Sequence, residues 1–217
     1  MADHDSREGT RYDSAAIREF VDRTHAPHDA GLQRAYDAPA KTGLPAIQLA
    51  ASEGKTLTLL MRLLNAHKVV EIGTLAGYSA LRIAQGLAAG GKLWTFELDS
   101  RHAQVARDNL TAAGVIDRVE IKVGPALEQL KTIEANGPFD AVFIDADKPG
   151  YPDYARFAQR HLRSGGLIIG DNAYYFGELM SDRPEATRMR EFHQFVADHF
   201  DSVCLPTPDG LVIGIAR

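Results

Sequence analysis

Two short apolar runs of the sequence each lead into acidic side chains. The first run, residues 141–144, is followed at once by Asp145, and the second, residues 167–169, is followed after one glycine by Asp171 and Asn172. Carboxylate and amide oxygens, without histidine or cysteine, are the ligands that a hard divalent cation prefers. If the two runs lie side by side, the sequence therefore predicts a cation-assisted reaction centre.

The elements that must position these side chains are two buried strands. Short apolar runs bounded by glycine and polar residues are typical of strands that are covered on both faces of a parallel sheet. The carboxyl ends of such strands line the crevice in which ligands bind. We therefore expect both runs to deliver their polar residues to one edge of the sheet, together with Asp147 and Lys148, which closely follow the first run.

From Lys68 onward, strand-like segments alternate with segments of helical length. The strand-like segments are, in order, residues 68–73, 92–98, 118–123, 139–145 and 165–171. This alternation predicts an α/β fold with a doubly wound, mostly parallel sheet. Two closing strands, residues 201–207 and 211–217, are separated by the turn residues 208–210, which predicts an antiparallel C-terminal hairpin and seven strands in all.

The chain before residue 68 has a different pattern. Residues 1–13 are charged and lack periodicity, so we predict a flexible arm there. Apolar residues at helical spacing predict short helices within residues 14–65, which form an N-terminal helical extension. With 217 residues, 45% of them hydrophobic, residues 1–217 are predicted to form a single domain that includes this extension.

Composition narrows the class of protein further. The net charge of −5 gives no general basic surface, which counts against a nucleic-acid partner. The single cysteine, Cys204, rules out an internal disulfide and fits a reducing compartment. No apolar stretch approaches the roughly 20 residues that span a bilayer, and the polar start does not resemble a secretory signal. We expect a cytoplasmic protein without a membrane partner.

A second candidate site lies at the turn between the first strand and its helix. Gly73 would let the backbone turn sharply, and Gly77 would let a ligand approach the helix N-terminus, although tight packing of helix on sheet explains the glycines too. Glu97 ends the second strand and could accept hydrogen bonds from both hydroxyls of a ribose. Asp99 competes for that role but is better placed as a helix cap. Small residues at 124–126 leave room for adenine, which indicates an adenosine-containing ligand without pyrophosphate, such as S-adenosylmethionine.

Six segments carry a family resemblance. They are, in chain order, EIGTLAGYSAL, TFELD, AGVIDRVEIKVGPAL, FDAVFIDADKPGY, GGLIIGDNA and the closing PDGL. Together they resemble the metal-dependent class I O-methyltransferases, a family that includes caffeoyl-CoA and catechol O-methyltransferases and small bacterial relatives. The resemblance covers residues 44–217. It implies a Rossmann-like methyltransferase fold and transfer of a methyl group from S-adenosylmethionine to a hydroxyl of a catechol-like or other vicinal-hydroxyl small molecule.

The resemblance also implies roles for the acidic strand ends. Asp145, Asp171 and Asn172 match the family's metal ligands, with Mg²⁺ as the expected cation and Mn²⁺ or Ca²⁺ as alternatives, although Asp171 and Asn172 could instead cap the following turn. Lys148 matches the general base, beside Asp145 in the catalytic centre and in contact with the substrate. A lysine that stays charged and orients the substrate is the alternative.

The same resemblance implies a set of cofactor contacts. The expected residues are Leu49, Glu71, Gly73, Thr74, Ser79, Glu97, Ala126, Asp145 and Asp147. Glu71 ends a buried strand, where an unpaired carboxylate would be costly. We expect it to bind the amino group of the cofactor, although a backbone N–H could satisfy it too.

One departure from the family concerns the segment after the fifth strand. Relatives commonly carry a DNxxW pattern there, and in this chain Tyr175 takes the position of the tryptophan. We therefore expect Tyr175 to contact the substrate, with a hydrophobic clamp on the sheet edge as the alternative explanation.

Two other functions and a homodimeric partner are also compatible with the sequence. Some bacterial relatives methylate hydroxylated uridines in tRNA, and the only local basic cluster that could serve such a substrate is Arg183, Arg188 and Arg190. A non-catalytic protein that binds S-adenosylmethionine is the other alternative. Because the N-terminal helices carry apolar stripes and have little sheet to cover, we expect them to form a homodimer and to cover the active site, as in relatives.

Overall fold

Seven strands form one sheet in the part of the chain that the structure describes. The structure is a computed structural model that describes residues 13–217, so the predicted arm lies outside the described residues except for Asp13. The strands are β1 (Lys68–Ile72), β2 (Lys92–Glu97), β3 (Val119–Val123), β4 (Phe139–Ile144), β5 (Leu162–Gly170), β6 (Phe200–Leu205) and β7 (Leu211–Ala216). Their order across the sheet is β3-β2-β1-β4-β5-β7-β6.

The pairing of the strands confirms the predicted fold class. Strands β1 to β5 run parallel to their neighbours, and β7 is antiparallel to both β5 and β6. The sheet is therefore mostly parallel, with the expected hairpin at its C-terminal edge. Strand β5 begins at Leu162, three residues earlier than the apolar pattern suggested, and its register against β4 shifts between Phe139 and Ala141.

Helices cover both faces of the sheet. They are α1 (Ala15–His25), α2 (Ala30–Thr42), α3 (Ala51–Leu64), α4 (Tyr78–Ala84), α5 (Ser100–Ala112), α6 (Ala126–Leu130), α7 (Tyr151–His161) and α8 (Pro184–His199). Helices α2 to α5 contribute to one buried cluster, through residues such as Leu57 and Leu110. Helices α6 to α8 contribute to the other, through residues such as Phe157 and Phe192. This two-sided burial explains the short, continuously apolar strands.

The N-terminal helices form the predicted extension. Helix α3 packs on α4 and buries Leu57 and Met61 in the same cluster as Leu81, whereas α1 has no buried residue. Over residues 13–217, none of the helices is long and apolar enough to cross a membrane.

The centre of the sheet brings two chain segments unusually close. Gly73 follows β1 with a φ of 99°, and a Cβ atom built on it would lie 1.8 Å from the carbonyl oxygen of Asp145, which follows β4. Only glycine tolerates both the backbone angle and the contact. Strands β1 and β4 are neighbours whose connections leave in different directions, and a crevice opens at such a point of a doubly wound sheet.

Candidate active site

A cavity of about 790 Å³ lies at the carboxyl ends of the central strands. Its volume is within the range typical of small-molecule sites. Ten of the residues predicted from the sequence line it: Leu49, Gly73, Thr74, Ser79, Glu97, Ala126, Asp145, Asp147, Lys148 and Asn172. The structure therefore brings both halves of the predicted site, the glycine-rich turn and the acidic strand ends, into one cavity.

Glu97 is held in a fixed position by backbone N–H groups. Its Oε2 accepts hydrogen bonds from Leu75 (2.8 Å) and Thr74 (3.3 Å), both in the turn after β1. Its Oε1 accepts one from the N–H of Asp99 at 3.0 Å. Asp99 itself caps α5, because its carboxylate accepts a hydrogen bond from the N–H of Arg101 at 2.7 Å. The helix-cap role expected for Asp99 is thus the one the geometry gives it.

Glu71 lies beside the cavity and is fully buried. The hydroxyl of Thr95 donates a 2.5 Å hydrogen bond to Glu71 Oε2, whereas Oε1 has no hydrogen-bond partner among the described residues. Burial raises the pKa of Glu71 to about 8, and the hydroxyls of Ser79 and Thr95 act against that rise. A buried carboxylate oxygen without a partner costs free energy, so this atom is suited to accept a hydrogen bond from a ligand.

The acidic strand ends meet around Lys148. Its Nζ donates hydrogen bonds to Asn172 Oδ1 at 2.6 Å and to the hydroxyl of Tyr151 at 2.9 Å, and it lies 3.6 Å from Asp145 Oδ1. Asn172 Nδ2 in turn lies 3.4 Å from Asp171 Oδ2. The ends of β4 and β5 are thus adjacent, as the two apolar runs predicted.

Burial dominates the electrostatics of this cluster. It raises the pKa of Asp145, although Lys148 pulls in the other direction. Burial and the nearby Asp145 carboxylate together raise the pKa of Asp171 to about 8. Burial also lowers the pKa of Lys148, while Asp145 and Asp171 oppose that shift. One ammonium therefore does not fully compensate two buried carboxyl groups, and the cluster favours additional positive charge.

Short-range hydrogen bonds fix the segment that carries Lys148. Asp147 caps the turn over Lys148–Gly150 by accepting a 3.1 Å hydrogen bond from the N–H of Gly150, and its other oxygen accepts one from the hydroxyl of Tyr154 at 2.6 Å. The hydroxyl of Tyr151 donates to the carbonyl of Asp171 at 3.0 Å. The hydroxyl of Tyr151 therefore links the β4 end to the β5 end, and the hydroxyl of Tyr154 holds Asp147.

The loop after β5 does not place Tyr175 where the sequence suggested. Tyr175 is 9% exposed, packs into the core cluster and is not among the residues that line the cavity. Its neighbour Phe176 is 68% exposed and lines the cavity, with its ring centre 5.9 Å from Lys148 Nζ. Sequence reasoning missed Phe176, because the swap of the two aromatic side chains depends on left-handed backbone angles of 51° and 54° at these two residues.

The proposed metal ligands are two carboxylates and one amide. Asp171 is 5% exposed and does not line the cavity, whereas Asp145 and Asn172 do. Within residues 13–217, no group of three or more His, Cys, Asp and Glu side chains has an arrangement that could hold a metal ion. The predicted set lies outside that description, because it contains only two such side chains, Asp145 and Asp171, and its third member is the asparagine Asn172.

Comparison with known proteins identifies the family. A model of the O-methyltransferase family matches residues 24–215. The catechol O-methyltransferase of Mycobacterium tuberculosis is 40% identical, over 91% of this chain and 94% of that protein. The catechol O-methyltransferase of Niastella koreensis is 41% identical, over 87% and 91%. The solved structure of the Bacillus cereus O-methyltransferase in complex with SAH is 36% identical with a TM-score of 0.89, over 93% and 97%.

The chain therefore belongs to the O-methyltransferase family. It is an S-adenosylmethionine-dependent O-methyltransferase, which confirms the resemblance and the enzyme class inferred from the motifs.

Proposed function

We propose that this enzyme methylates a hydroxyl of a catechol-like or other vicinal-hydroxyl small molecule and that a divalent cation assists the reaction. The observation that carries the proposal is the shared cavity, in which Glu97 lies on one side and Asp145, Lys148 and Asn172 lie on the other. The two relatives named catechol O-methyltransferases support the acceptor class. We further propose that one domain, residues 1–217, contains the whole site and acts in the cytoplasm.

The residues around Glu97 form the cofactor half of the cavity. Glu97 accepts the ribose hydroxyls, since three backbone N–H groups already fix its carboxylate. Ala126 and its small neighbours face the adenine. Glu71 Oε1 accepts a hydrogen bond from the amino group of the methionine part, with Ser79 and Asp147 nearby, because this buried oxygen has no hydrogen-bond partner among residues 13–217. S-adenosylmethionine supplies the activated methyl group.

The donor set at the strand ends fits a hard divalent cation. Asp145, Asp171 and Asn172 offer oxygen atoms only, which Mg²⁺, Mn²⁺ and Ca²⁺ accept. The raised pKa values of both carboxyl groups favour this reading, since an added positive charge would stabilise their ionised forms. When bound, such a cation acts as a Lewis acid that lowers the pKa of a coordinated hydroxyl.

Lys148 takes the proton of the attacking hydroxyl. Burial lowers the pKa of its ammonium, and a base whose pKa approaches the working pH transfers protons efficiently. Tyr151 and Asn172 hold Nζ at the cavity wall through hydrogen bonds of 2.9 and 2.6 Å. A fixed base and a fixed hydroxyl lower the entropic part of the barrier.

The walls of the cavity favour a small aromatic acceptor. Phe176 offers an exposed apolar ring near Lys148, and Pro45 and Ile47 add further apolar surface. Among the described residues that line the cavity, the basic side chains are Lys148 and His102, without an arginine. A phosphorylated acceptor such as a coenzyme A thioester would find few cationic partners there.

The tRNA alternative has less support in the structure than in the sequence. Arg183 pairs with Glu178 at 2.8 Å, and Arg188 pairs with Asp153 and Glu191. The guanidinium of Arg190 donates to backbone carbonyls of the loop before α8. The local arginine cluster is therefore engaged within the chain, which leaves little unpaired basic charge for an RNA backbone.

We also propose a homodimer. Helix α1 exposes Ile17 (50%), Phe20 (58%) and Val21 (38%), and α3 exposes Leu59 (48%) and Leu63 (85%). Apolar residues that recur on one helix face need a covering partner. A second copy of the chain is the expected cover.

An acceptor panel tests the proposed function. Methyl transfer from labelled S-adenosylmethionine is measured with catechol, with phenol, with a coenzyme A thioester of a catechol acid and with bulk tRNA that carries hydroxylated uridines. Activity confined to acceptors that contain two adjacent hydroxyls and no coenzyme A supports the proposal. Cofactor binding together with transfer to tRNA alone would overturn it.

A further inference from the structure

The loop that carries Phe176 has a strained backbone. Asn172, Tyr175 and Phe176 have φ angles of 50°, 51° and 54°, and Gly177 has 81°. Residues other than glycine rarely adopt this left-handed region, and they keep it only where surrounding contacts enforce it. An element outside the loop must therefore hold the backbone in this shape.

The turn between β6 and β7 makes those contacts. The carbonyl of Asp209 accepts a 2.8 Å hydrogen bond from the N–H of Tyr174, and the carbonyl of Gly210 accepts a 3.0 Å bond from the N–H of Ala173. Asp209 Oδ1 accepts a further bond, of 2.8 Å, from the N–H of Phe176 itself. The turn thus holds three successive parts of the loop, and the side chain of Asp209 holds the part nearest the cavity.

The turn and the loop are also in direct packing contact. Gly210 has a φ of 76°, and a Cβ atom built on it would lie 2.7 Å from the ring of Tyr174. No other residue type fits at this approach without moving the loop.

The Asp209 carboxyl also faces the site, because the side chain of Asn172 lies close enough to oppose the rise that burial causes in its pKa. Oδ2 is buried and lacks a hydrogen-bond partner among the described residues. Asp209 also interacts electrostatically with Asp145 and Lys148. A turn that needed only a hydrogen-bond acceptor could avoid this cost, so the position is tied to the site and not to the hairpin alone.

We propose that Asp209 is a positioning residue for the acceptor: its side chain holds the loop 172–177 so that Phe176, and not Tyr175, forms the cavity wall beside Lys148. The inference rests on the proposed function for its kinetic consequences. Its structural part, the hold on Phe176, is independent of which acceptor is methylated.

Amide exchange measures the hold directly. In Asp209→Ala, the N–H of Phe176 loses its acceptor, so its hydrogen exchange in the ligand-free protein should accelerate about tenfold or more, as expected for a hydrogen bond to a charged group. In Asp209→Asn, the amide oxygen still accepts the bond, and exchange should stay within about threefold of the wild type. Asp201→Ala, which changes an exposed aspartate on β6 of the same hairpin, should leave the exchange of Phe176 unchanged.

Kinetics measure the consequence for the acceptor. Asp209→Ala should raise the acceptor KM about tenfold, while the Kd for S-adenosylmethionine stays within about twofold, because the cofactor contacts lie on other strands. Asp209→Asn should keep the acceptor KM of the wild type. A general loss of structure would instead weaken cofactor binding as well.

The outcomes separate the two proposals. An unchanged exchange rate for Phe176 in Asp209→Ala would overturn the inference, and so would faster exchange with an unchanged acceptor KM. If no catechol is methylated, the proposed function fails, yet the exchange comparison still decides whether Asp209 holds Phe176. If Asp209→Ala does not fold, fast exchange of Phe176 in the wild type or in Asp209→Asn would contradict the inference, and protection in both would support it.

Discussion

The Nζ of Lys148 lies 2.6 Å from Oδ1 of Asn172, which links the end of β4 to the end of β5. The same asparagine oxygen is part of the donor set proposed for the cation. The proposed base and the proposed cation therefore share one oxygen, and their positions depend on each other. In this account, the group that removes the proton and the group that helps to hold the cation are joined by a single hydrogen bond.

Replacement of Lys148 distinguishes a base from an orienting charge. Lys148→Arg keeps a positive charge but cannot release its proton at neutral pH, so we expect kcat to fall about 10²–10⁴-fold, the usual contribution of a general base. Lys148→Met should show a similar loss. Steady-state kinetics with a catechol acceptor measure both, and titration calorimetry should give an unchanged Kd for S-adenosylmethionine.

The alternative role of Lys148 has a different signature. If the ammonium only orients the substrate, Lys148→Arg would retain most of kcat, and Lys148→Met alone would lose it. Recovery of activity by arginine would thus contradict the proton-transfer role.

Glu97 provides a test of the cofactor half of the site. Glu97→Gln replaces one acceptor oxygen with an N–H₂ donor and removes the charge, so the Kd for S-adenosylmethionine should rise about ten- to a hundredfold, as for lost hydrogen bonds to a charged group. Asp99→Asn is the matched control, because Asp99 lies two residues away, and an asparagine can still cap α5. An equal loss of affinity in both variants would show that Glu97 is not the specific ribose contact.

Glu71 makes the stability of the ligand-free protein depend on pH. Its pKa is raised from 4.5 to about 8 in the fold, so between these values the folded protein holds a proton that the unfolded chain has released. The contribution of Glu71 to the free energy of unfolding should therefore be highest at or below the lower pKa. It should decline as pH rises from the lower pKa to the upper one, and it should level off above that. Glu71→Gln cannot titrate, so the stability of this variant relative to the wild type should increase from pH 5 to pH 8.5.

Urea unfolding at several pH values measures this difference. A wild-type and variant difference that stays constant from pH 5 to pH 8.5 would show that Glu71 does not titrate as its burial requires. The same variant should bind S-adenosylmethionine more weakly, since the amino group loses a carboxylate partner.

The proposed homodimer is tested at the exposed face of α1. Wild-type protein at micromolar concentration should scatter light as a dimer, and Phe20→Glu should shift it towards a monomer, because the change puts a charge into an apolar contact. Glu19→Gln, on the same helix, is the control and should not alter the mass. A monomeric wild type would refute the homodimer.

Local pattern is sufficient to predict the sheet and the side chains that gather at its carboxyl ends. The residues that end strands, such as Glu97 and Asp145, could be predicted because parallel strands in a doubly wound sheet align their carboxyl ends. Gly73 was identified as a turn residue, and its contact with Asp145 in the fold shows why no larger residue fits there. These positions depend on the sequence nearby and on a general rule of sheet geometry.

The loop after β5 shows where sequence reasoning ends. Tyr175 and Phe176 are adjacent aromatic residues, and no local pattern decides which of them faces the cavity. In our proposal the choice depends on Asp209, which lies 33 residues away in the chain and accepts a hydrogen bond from the N–H of Phe176. The sequence predicts a hairpin turn at residues 208–210, and the contact of this turn with the loop 172–177 exists only in the folded chain.

The role of a divalent cation is the central claim, and one measurement tests it most directly. Methyl transfer from labelled S-adenosylmethionine to catechol is compared in Mg²⁺ and in excess EDTA, for the wild type and for Asp171→Ala, with cofactor affinity determined in parallel. We predict that EDTA abolishes transfer by the wild type, that Mg²⁺ restores it, and that Asp171→Ala is inactive in both conditions while still binding S-adenosylmethionine. Full activity of the wild type in EDTA would contradict the claim.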